Sequence, residues 1–486
     1  MFLKKAILFS ILLGFITACS GDKNEGKDLK LYVSSFIKQN SNVVAFGSAE
    51  IKSILNKTDY KSNDKLDVLL SGELSKIDHV LDINSPVFFV AEGPFKSDGS
   101  PEALHIFIKV KNEDSLLIEL NERSFDVNKS GKINYTEDGD FVMGIQNDLA
   151  IVTIKGSNEY KAKDLVASTF KMAQSDPNGG TVDEILNLDG DMVFGMHLAN
   201  LYETSDTDLN KLDVEKQKEI KEMMSGAFIQ TVFKFENGSA IIESKNIFSE
   251  KLKNELFFRS DNSSKIVNKL DKGSGLMIAG VSVNIDMNKL EKFYAKYSPE
   301  TLENVTSGLG LAGGVFSLMG SENILSKLSD GQFGATVIGN PMANTFGVNA
   351  FFGATETGKS MFAMFEKSIP VDLNYAYKND GIYGTYSVFA GSDSDKTSSV
   401  KLPKGCDVFG KKGITAFVNF DGIELEDFGF SGPQKLLEIV KYATFEYNED
   451  GGRLVIKAKD GQENILKQAM GILIDELSSE IGGMAI

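Results

Sequence analysis

Apolar and polar positions alternate in short runs along most of this chain, but its first residues are patterned differently. Lys4 and Lys5 precede Ala6–Ile16 (AILFSILLGFI), a run without charge. That is the length of a secretory h-region. A membrane-spanning helix needs about 20 apolar residues, and here hydrophobicity stops at Cys19, before the polar stretch from Ser20 to Glu25.

Further on, the pattern predicts strand and helix units that come twice. Asn42–Phe46 reads as a buried strand and Ser48–Leu55 as a capped helix. Leu276–Gly280 with Val281–Val283, then Asn284–Leu290, repeats the pair, with Met287, Leu290 and Tyr294 on one helical face. Val87–Ala91, a turn, His105–Val110 and the helix-like Glu113–Leu120 match Phe333–Ile338, a turn, Phe346–Phe352 and Gly358–Lys367. The hairpin Asn134–Gly144 resembles Asn374–Gly384, and Phe233–Lys245 parallels Phe445–Lys459. An amphipathic helix follows each of the last pair; in the second, Leu466, Met470, Leu473 and Leu477 form the stripe. The offset is 240 residues at Asn134/Asn374 and 212 at Phe233/Phe445, so loop insertions separate the copies. Short turns between strands favour antiparallel pairing over a doubly wound sheet. The expected fold is therefore α+β, an internal duplication of two related halves, 31–258 and 259–486. Each is a largely antiparallel sheet with helices packed on one face.

The start of the chain carries the most specific chemistry. Ile16-Thr17-Ala18-Cys19 resembles the bacterial lipobox, in which small residues precede the cleavage site and a cysteine follows it. Cleavage would remove residues 1–18 as a signal peptide and leave Cys19 as the lipid-bearing first residue, with 19–30 as a tether. A thiol is required because the thioether to diacylglycerol forms on sulfur. Each buried methylene contributes roughly 0.8 kcal/mol, so an anchor of two or more chains is effectively permanent. Ser20, rather than Asp, after the cysteine points to the outer membrane, facing the periplasm or the cell surface.

Composition narrows the partners. The whole chain of 486 residues has a net charge of −17; losing residues 1–18 removes two lysines and no acids, leaving 49 basic against 68 acidic side chains, a net of −19. Such a surface repels nucleic acid and anionic lipid headgroups, so the membrane contact expected is the anchor alone. The only other cysteine is Cys406, which excludes an intrachain disulfide once Cys19 is lipidated and leaves stability to core burial. With 34 phenylalanines there is material for that.

Two segments match binding motifs. Gly353-Ala-Thr-Glu-Thr-Gly358-Lys359-Ser360 fits the phosphate-cradling loop, in which backbone amides wrap the phosphates, Lys359 meets the terminal ones and Ser360 holds magnesium, with Asp421 as the partner acid. The alternative is a helix start with Thr355 or Thr357 as N-cap. In the first half the corresponding link is Lys109–Asp114, without glycine, and a nucleoside triphosphate supply is lacking outside the inner membrane. Asp126, Asn128, Ser130, Lys132, Asn134 and Glu137, with Gly131 at the sixth position, reproduce the spacing of a calcium loop. The residues after Ile133 read as a hairpin rather than the exiting helix such a loop needs, so a polar connection is the competing reading. Calcium is the one cofactor this spacing raises, and none is predicted outright.

Other features point away from chemistry. Gly308–Gly313 fits a dinucleotide pattern but follows a polar, helix-like stretch rather than a strand. His79, His105 and His197 lack metal spacing and read as packing residues. Cys406 reads as a buried thiol, and Glu424–Asp427 and Asp393–Asp395 as solvated loops. No catalytic set is expected.

Taken together, the lipobox, the opening Ser41-Asn-Val-Val-Ala-Phe46 with Ile51–Leu55 behind it, and the repeated units resemble the uncharacterised lipoproteins of Bacteroidetes grouped as domain of unknown function 4836. The resemblance implies export and a lipid anchor and offers no catalytic residue. The function expected is a non-catalytic binding or scaffolding protein of the cell envelope, with a protein or envelope polymer as partner. The rivals are a nucleotide-binding enzyme built on Gly353–Ser360 and a calcium-binding envelope protein.

Overall fold

A computed structural model describes residues 27–62, 67, 71, 79–82, 84–96, 99–156, 161–175, 180–204, 213–259, 264–270, 276–298, 323–340, 345–366, 374–387, 402–421 and 432–483. They fall into two units, one drawn from Met1–Thr207, Met224–Ile247 and Gly461–Ile486, the other from Asp208–Met223 and Phe248–Asp460. The architecture is α+β with antiparallel strand pairing in both units.

The first unit contains β1 (Val43–Ala49), β2 (Val87–Glu92), β3 (Ala103–Lys109), β4 (Asn128–Ser130), β5 (Ile133–Asp138), β6 (Phe141–Gln146), β7 (Leu149–Lys155), β8 (Met192–His197), β9 (Phe228–Glu236) and β10 (Ser239–Ile247). β1 lies between β2 and β8; beyond β2 the order runs β3, β7, β6, β5, β4, and beyond β8 it runs β9, β10. Side chains of successive strand residues leave a sheet in opposite directions. On one side Phe46, Phe88, Phe107, Val142 and Ile151 pack with Val33 and Phe36 of α1 (Lys27–Gln39), which places that helix over the sheet. On the other, Ile108, Met143 and Val152 meet Ile51 and Leu55 of α2 (Ile51–Thr58) and Leu116 and Leu120 of α3 (Glu113–Glu122). Both helical pairs are spaced four residues apart, the interval that lines up one helical face.

The second unit contains β11 (Leu276–Asn284), β12 (Ser329–Asn340), β13 (Thr345–Ala354), β14 (Asn374–Lys378), β15 (Gly381–Ser387), β16 (Ile414–Asn419), β17 (Val440–Asn448) and β18 (Gly451–Ala458). β11 lies between β12 and β16; beyond β12 come β13, β15 and β14, and beyond β16 come β17 and β18. Its core joins Ile266 and Leu270 of α4 (Ser264–Leu270) to Met277, Phe351, Cys406, Phe409 and Phe417.

The two units thus share a strand plan: a central first strand, a hairpin next to it on one side, and three later strands on the other. Gly47 lies in register with Phe194, and Gly280 with Phe417. Both glycines are close approaches: a Cβ at 47 would lie 2.1 Å from the Val193 carbonyl oxygen and 2.4 Å from the Phe89 ring, and one at 280 would lie 2.4 Å from the Phe417 ring.

Three placements differ from the sequence pattern. Ser48 does not cap a helix: it is buried in β1, opposite Val193 and Phe88, and α2 starts at Ile51 with Glu50 at the cap position. β15 pairs with β13 as β7 pairs with β3, so Asn374–Gly384 occupies the place of β6 and β7 rather than that of Asn134–Gly144. Finally, α5 (Glu356–Phe365) stays with the second unit, but α6 (Ile465–Gly483) packs Met470 and Ile474 into the first unit's core, an exchange that contiguous halves divided at residue 258 do not contain. Its entry is fixed there by Gly238 donating to the Glu463 carbonyl at 2.8 Å and Asn464 Nδ2 donating to the Phe235 carbonyl at 3.1 Å.

Candidate functional site

The first unit carries an open cleft of about 800 Å3 beside α2. Ser53 and Lys57 lie one helical turn apart and both reach Asp191, the residue before β8. Asp191 is 3% exposed. Its Oδ1 accepts from Ser53 Oγ at 2.7 Å, Lys57 Nζ spans Oδ1 and Oδ2 at 2.6 and 2.7 Å, and Oδ2 also accepts the Phe235 amide at 2.6 Å. The Asp191 carbonyl takes the Glu50 amide at 2.8 Å. A buried carboxylate must be paired and hydrogen-bonded, and this one is saturated. It ties α2 to β8 and β9 and has no free lone pair directed at a substrate.

Around that tie the lining is polar and electrically balanced. Lys30, Lys52, Lys57 and Lys234 face Glu50, Asp189, Asp191 and Glu236, equal numbers of each sign on a chain that is acidic overall. The carboxamides of Asn56, Asn84 and Asn187 complete it, with Pro86 and Leu188 as partly exposed apolar groups. Lys30 donates to Asn187 Oδ1. Asn84 donates both its amides to Asp82 Oδ1 at 3.2 Å, while its own Oδ1 is buried without a hydrogen-bond partner. A second recess, of about 480 Å3, shares Asn56 and Lys57 with the first and extends to Asn237, Gln462, Asn464 and Lys467. There Lys467 bridges Asp59 and Glu463, at 2.9 Å each; its hydrogen bond, with that of Ser62, holds the Asp59 carboxyl below the ordinary range.

A separate buried network surrounds His105, which is 1% exposed. Its Nδ1 lies 2.9 Å from Thr153 Oγ1 and its Nε2 2.6 Å from Glu92 Oε1, which also accepts from Asn40 Nδ2 at 2.6 Å. Burial alone would raise the Glu92 pKa, but the hydrogen bond and charge of His105 and the amide of Asn40 outweigh it, and the carboxyl sits below its ordinary value. His105 is thus a polar tie within the core as well as a packing residue. His79 is exposed, and His197 sets its ring edge against Phe228 while Nδ1 accepts the Asn200 amide at 3.1 Å.

The phosphate-loop match does not have phosphate-loop geometry. Such a loop joins a parallel strand to its helix and turns amides toward open space, whereas β13 is antiparallel to both β12 and β15. Gly353 is a strand residue packed against Asp330, and Gly358 lies against the Leu328 carbonyl. Thr355 Oγ1 takes the Gly358 amide at 3.1 Å as a helix N-cap, and Ser360 Oγ donates to the Glu356 carbonyl at 2.9 Å. Lys359 is 9% exposed, and its ammonium is engaged by Glu356 and by the Lys378 carbonyl at 2.9 Å. Asp421 is exposed and pairs with Lys441 at 3.4 Å.

The calcium spacing also lands on a hairpin. Asn128–Ser130 and Ile133–Asp138 are β4 and β5, joined at Gly131-Lys132 with Gly131 at φ +64°. The oxygens diverge to different partners: Ser130 Oγ donates to the Lys163 carbonyl, Asn134 Nδ2 to Glu113, and Glu137 accepts from Lys155 at 2.8 Å. Asp126 precedes this hairpin and Lys132 lies in its turn. Among the described residues no group of three His, Cys, Asp or Glu side chains is placed to hold a metal ion. Cys406 is buried, and burial, with the nearby Asp407 charge, pushes its thiol up to about 11. Cys19, Gly308–Gly313, Asp393–Asp395 and Glu424–Asp427 lie outside the described residues.

The cleft residues were not singled out by sequence. Ser53 and Lys57 at helical spacing were a visible signal, but Asp191 reaches them from about 134 positions away, and no local pattern encodes that meeting.

No family model matches the chain, and no curated protein matches it. Solved structures do: crystal form I of TP0453, 9% identical, over 52% of this chain and 90% of that one, with a TM-score of 0.25. Crystal forms IV and III of TP0453, each 9% identical, cover 74% of this chain and 92% and 93% of theirs, with TM-scores of 0.20 and 0.19. The α+β class therefore rests on the strand pairings given above.

Proposed function

We propose that the mature chain is a non-catalytic binding protein of the cell envelope, anchored to the outer membrane through lipidated Cys19, and that its ligand sits in the cleft beside α2. The observation that carries this reading is the cleft itself. It offers about 800 Å3 of open space, within the size range of ligand sites, lined by hydrogen-bonding side chains. The buried carboxylate at its base, Asp191, is committed to holding α2 in place. A rigid floor with a polar rim fits capture rather than turnover, because a general base needs a lone pair aimed at the proton it removes. The anchor would keep the cleft near envelope material, a protein or a polymer, on the periplasmic or the outer face.

The test passes solubilised envelope material over the immobilised mature chain and over a Lys52→Glu/Lys234→Glu variant. Retention by the native chain that falls by about tenfold or more in the variant, the effect of reversing contact charges, is the expected result. Equal retention by both, or a turnover that disappears in Ser53→Ala, contradicts the proposal.

A further inference from the structure

We infer that the free edge of β14 pairs with β14 of a second copy of this chain, antiparallel about Ala376, to carry one sheet across a two-fold dimer. β14 ends the second unit's strand order and pairs with β15 and no other strand among the described residues. The hairpin fixes which of its backbone groups are used. Asn379 and Asp380 alone turn the chain, so Lys378 and Gly381 close the turn and exchange backbone hydrogen bonds. Bonded and non-bonded pairs alternate along an antiparallel ladder. The amides and carbonyls of Asn374, Ala376 and Lys378 therefore face β15, and those of Tyr375 and Tyr377 face outward. Among the described residues nothing is hydrogen-bonded to these outward groups.

The strand is complementary to itself, as a two-fold contact requires. With Ala376 opposite Ala376, Tyr375 faces Tyr377 of the second copy and Tyr377 faces its Tyr375, so the outward groups of both strands find partners. Both tyrosines lie on the face that α5 covers, where the Phe362 ring centre is 4.9 Å from that of Tyr375 and 6.4 Å from that of Tyr377. Aromatic pairs directly across a ladder are favourable. Asn374, Ala376 and Lys378 are on the other face and all exposed, and Lys378 comes opposite Asn374.

Charge permits the contact. The chain carries −17 overall and repels its copies at long range, but β14 has no acidic residue and one lysine. The two Lys378 side chains stand four residues apart along the strands, roughly 14 Å, beyond the screening length of about 8 Å at physiological salt. Edge strands are commonly blunted by shortness, and the first unit's β4 has only three residues, with Ser130 donating to the Lys163 carbonyl. β14 has five and no such tie. One strand of that length covers less than the roughly 1,000 Å2 of a stable interface, so the association is weak and shows at high concentration.

Sedimentation of the mature chain carrying Cys19→Ala, up to millimolar concentration, tests the inference, and cysteine cross-linking tests its register; Cys406 is buried and does not interfere. A reversible dimer is expected. The two positions 376 would lie about 4.5 Å apart, Cα to Cα, within disulfide reach, so Ala376→Cys should join two chains on oxidation with copper phenanthroline. Asn374→Cys should not join to itself but should join to Lys378→Cys when the two are mixed. Ala376→Lys sets like charges face to face and should weaken the dimer by about tenfold or more, with an unchanged melting temperature because position 376 is exposed. The inference is overturned by a chain that stays monomeric at millimolar concentration, by a dimer that Ala376→Lys leaves intact, or by Asn374→Cys joining to itself as readily as Ala376→Cys does. A monomer that instead takes up an alternating threonine-valine peptide at this edge would assign β14 to a foreign strand and overturn the second copy as its partner.

Discussion

At Asp191 one carboxylate gathers a hydroxyl and an ammonium from α2 and an amide from β9. Removing one partner of a buried ion pair leaves the other charge uncompensated, at a cost of about 3 to 5 kcal/mol. Lys57 retains 31% side-chain exposure, so water relieves part of this, and Asp191→Ala is expected near the lower end, read by urea denaturation. An unchanged midpoint would mean that the cleft floor is not organised this way. The close glycines make a second residue-level prediction. A methyl group at Gly47 or Gly280 meets backbone or ring atoms, and overpacking of this kind costs about 1 to 3 kcal/mol, so Gly47→Ala and Gly280→Ala should each lower the melting temperature. Glu92 supplies a pH dependence. Its folded pKa lies below the ordinary 4.5, so its contribution is fully present above pH 4.5 and is lost as pH falls through the lower, folded value. Denaturation at a series of acidic pH values should show Glu92→Gln losing less stability than the native chain across that window. These residues carried weak marks in the sequence. His105 was visible as a strand residue, but its meeting with Glu92 and Asn40 depends on strand register, which composition and spacing do not encode.

The helix after β13 shows how an element can imitate a site. Gly353 is a glycine because the Asp330 carboxylate packs against it, Gly358 because the Leu328 carbonyl does, and Lys359 is a lysine because two turn carbonyls and Glu356 face its ammonium. Each has a packing reason, and together they spell a phosphate loop. Thr355→Ala is expected to cost about 1 kcal/mol through the lost N-cap. Lys359→Ala should lower the melting temperature and leave titration with magnesium ATP unchanged; ATP binding by the native chain that vanishes in this variant would restore the nucleotide reading. The Thr355 cap was legible because a capping hydroxyl acts within three residues, and β1, β2, β3, β9 and β17 were legible because apolar period and turn residues are local. The start of α2 was not: Ser48 suits a cap by type, but its neighbours across the sheet, Val193 and Phe88, bury it in the strand. The place of β14 and β15 was missed for a similar reason, since pairing with β13 is set at long range.

For the whole molecule, a common strand plan in both units agrees with the repeat read from the sequence, while the boundary between them follows packing rather than chain order. α6 returns to the first unit because Met470 and Ile474 complete the core beneath α2 and because the β9–β10 hairpin holds the segment before it. Among the described residues no helix is long and apolar enough to cross a membrane; the attachment proposed here is lipidated Cys19. The excess of acidic residues would keep the body clear of anionic headgroups, with the cleft presented to whatever polymer or protein the envelope offers. Intact-mass analysis of the chain extracted from membranes tests this placement most directly. The account predicts a polypeptide beginning at Cys19 whose mass exceeds that of residues 19–486 by a diacylglyceryl group, with or without a further acyl chain; a full-length chain from Met1 in the soluble fraction, or an unmodified Cys19 thiol, would contradict it.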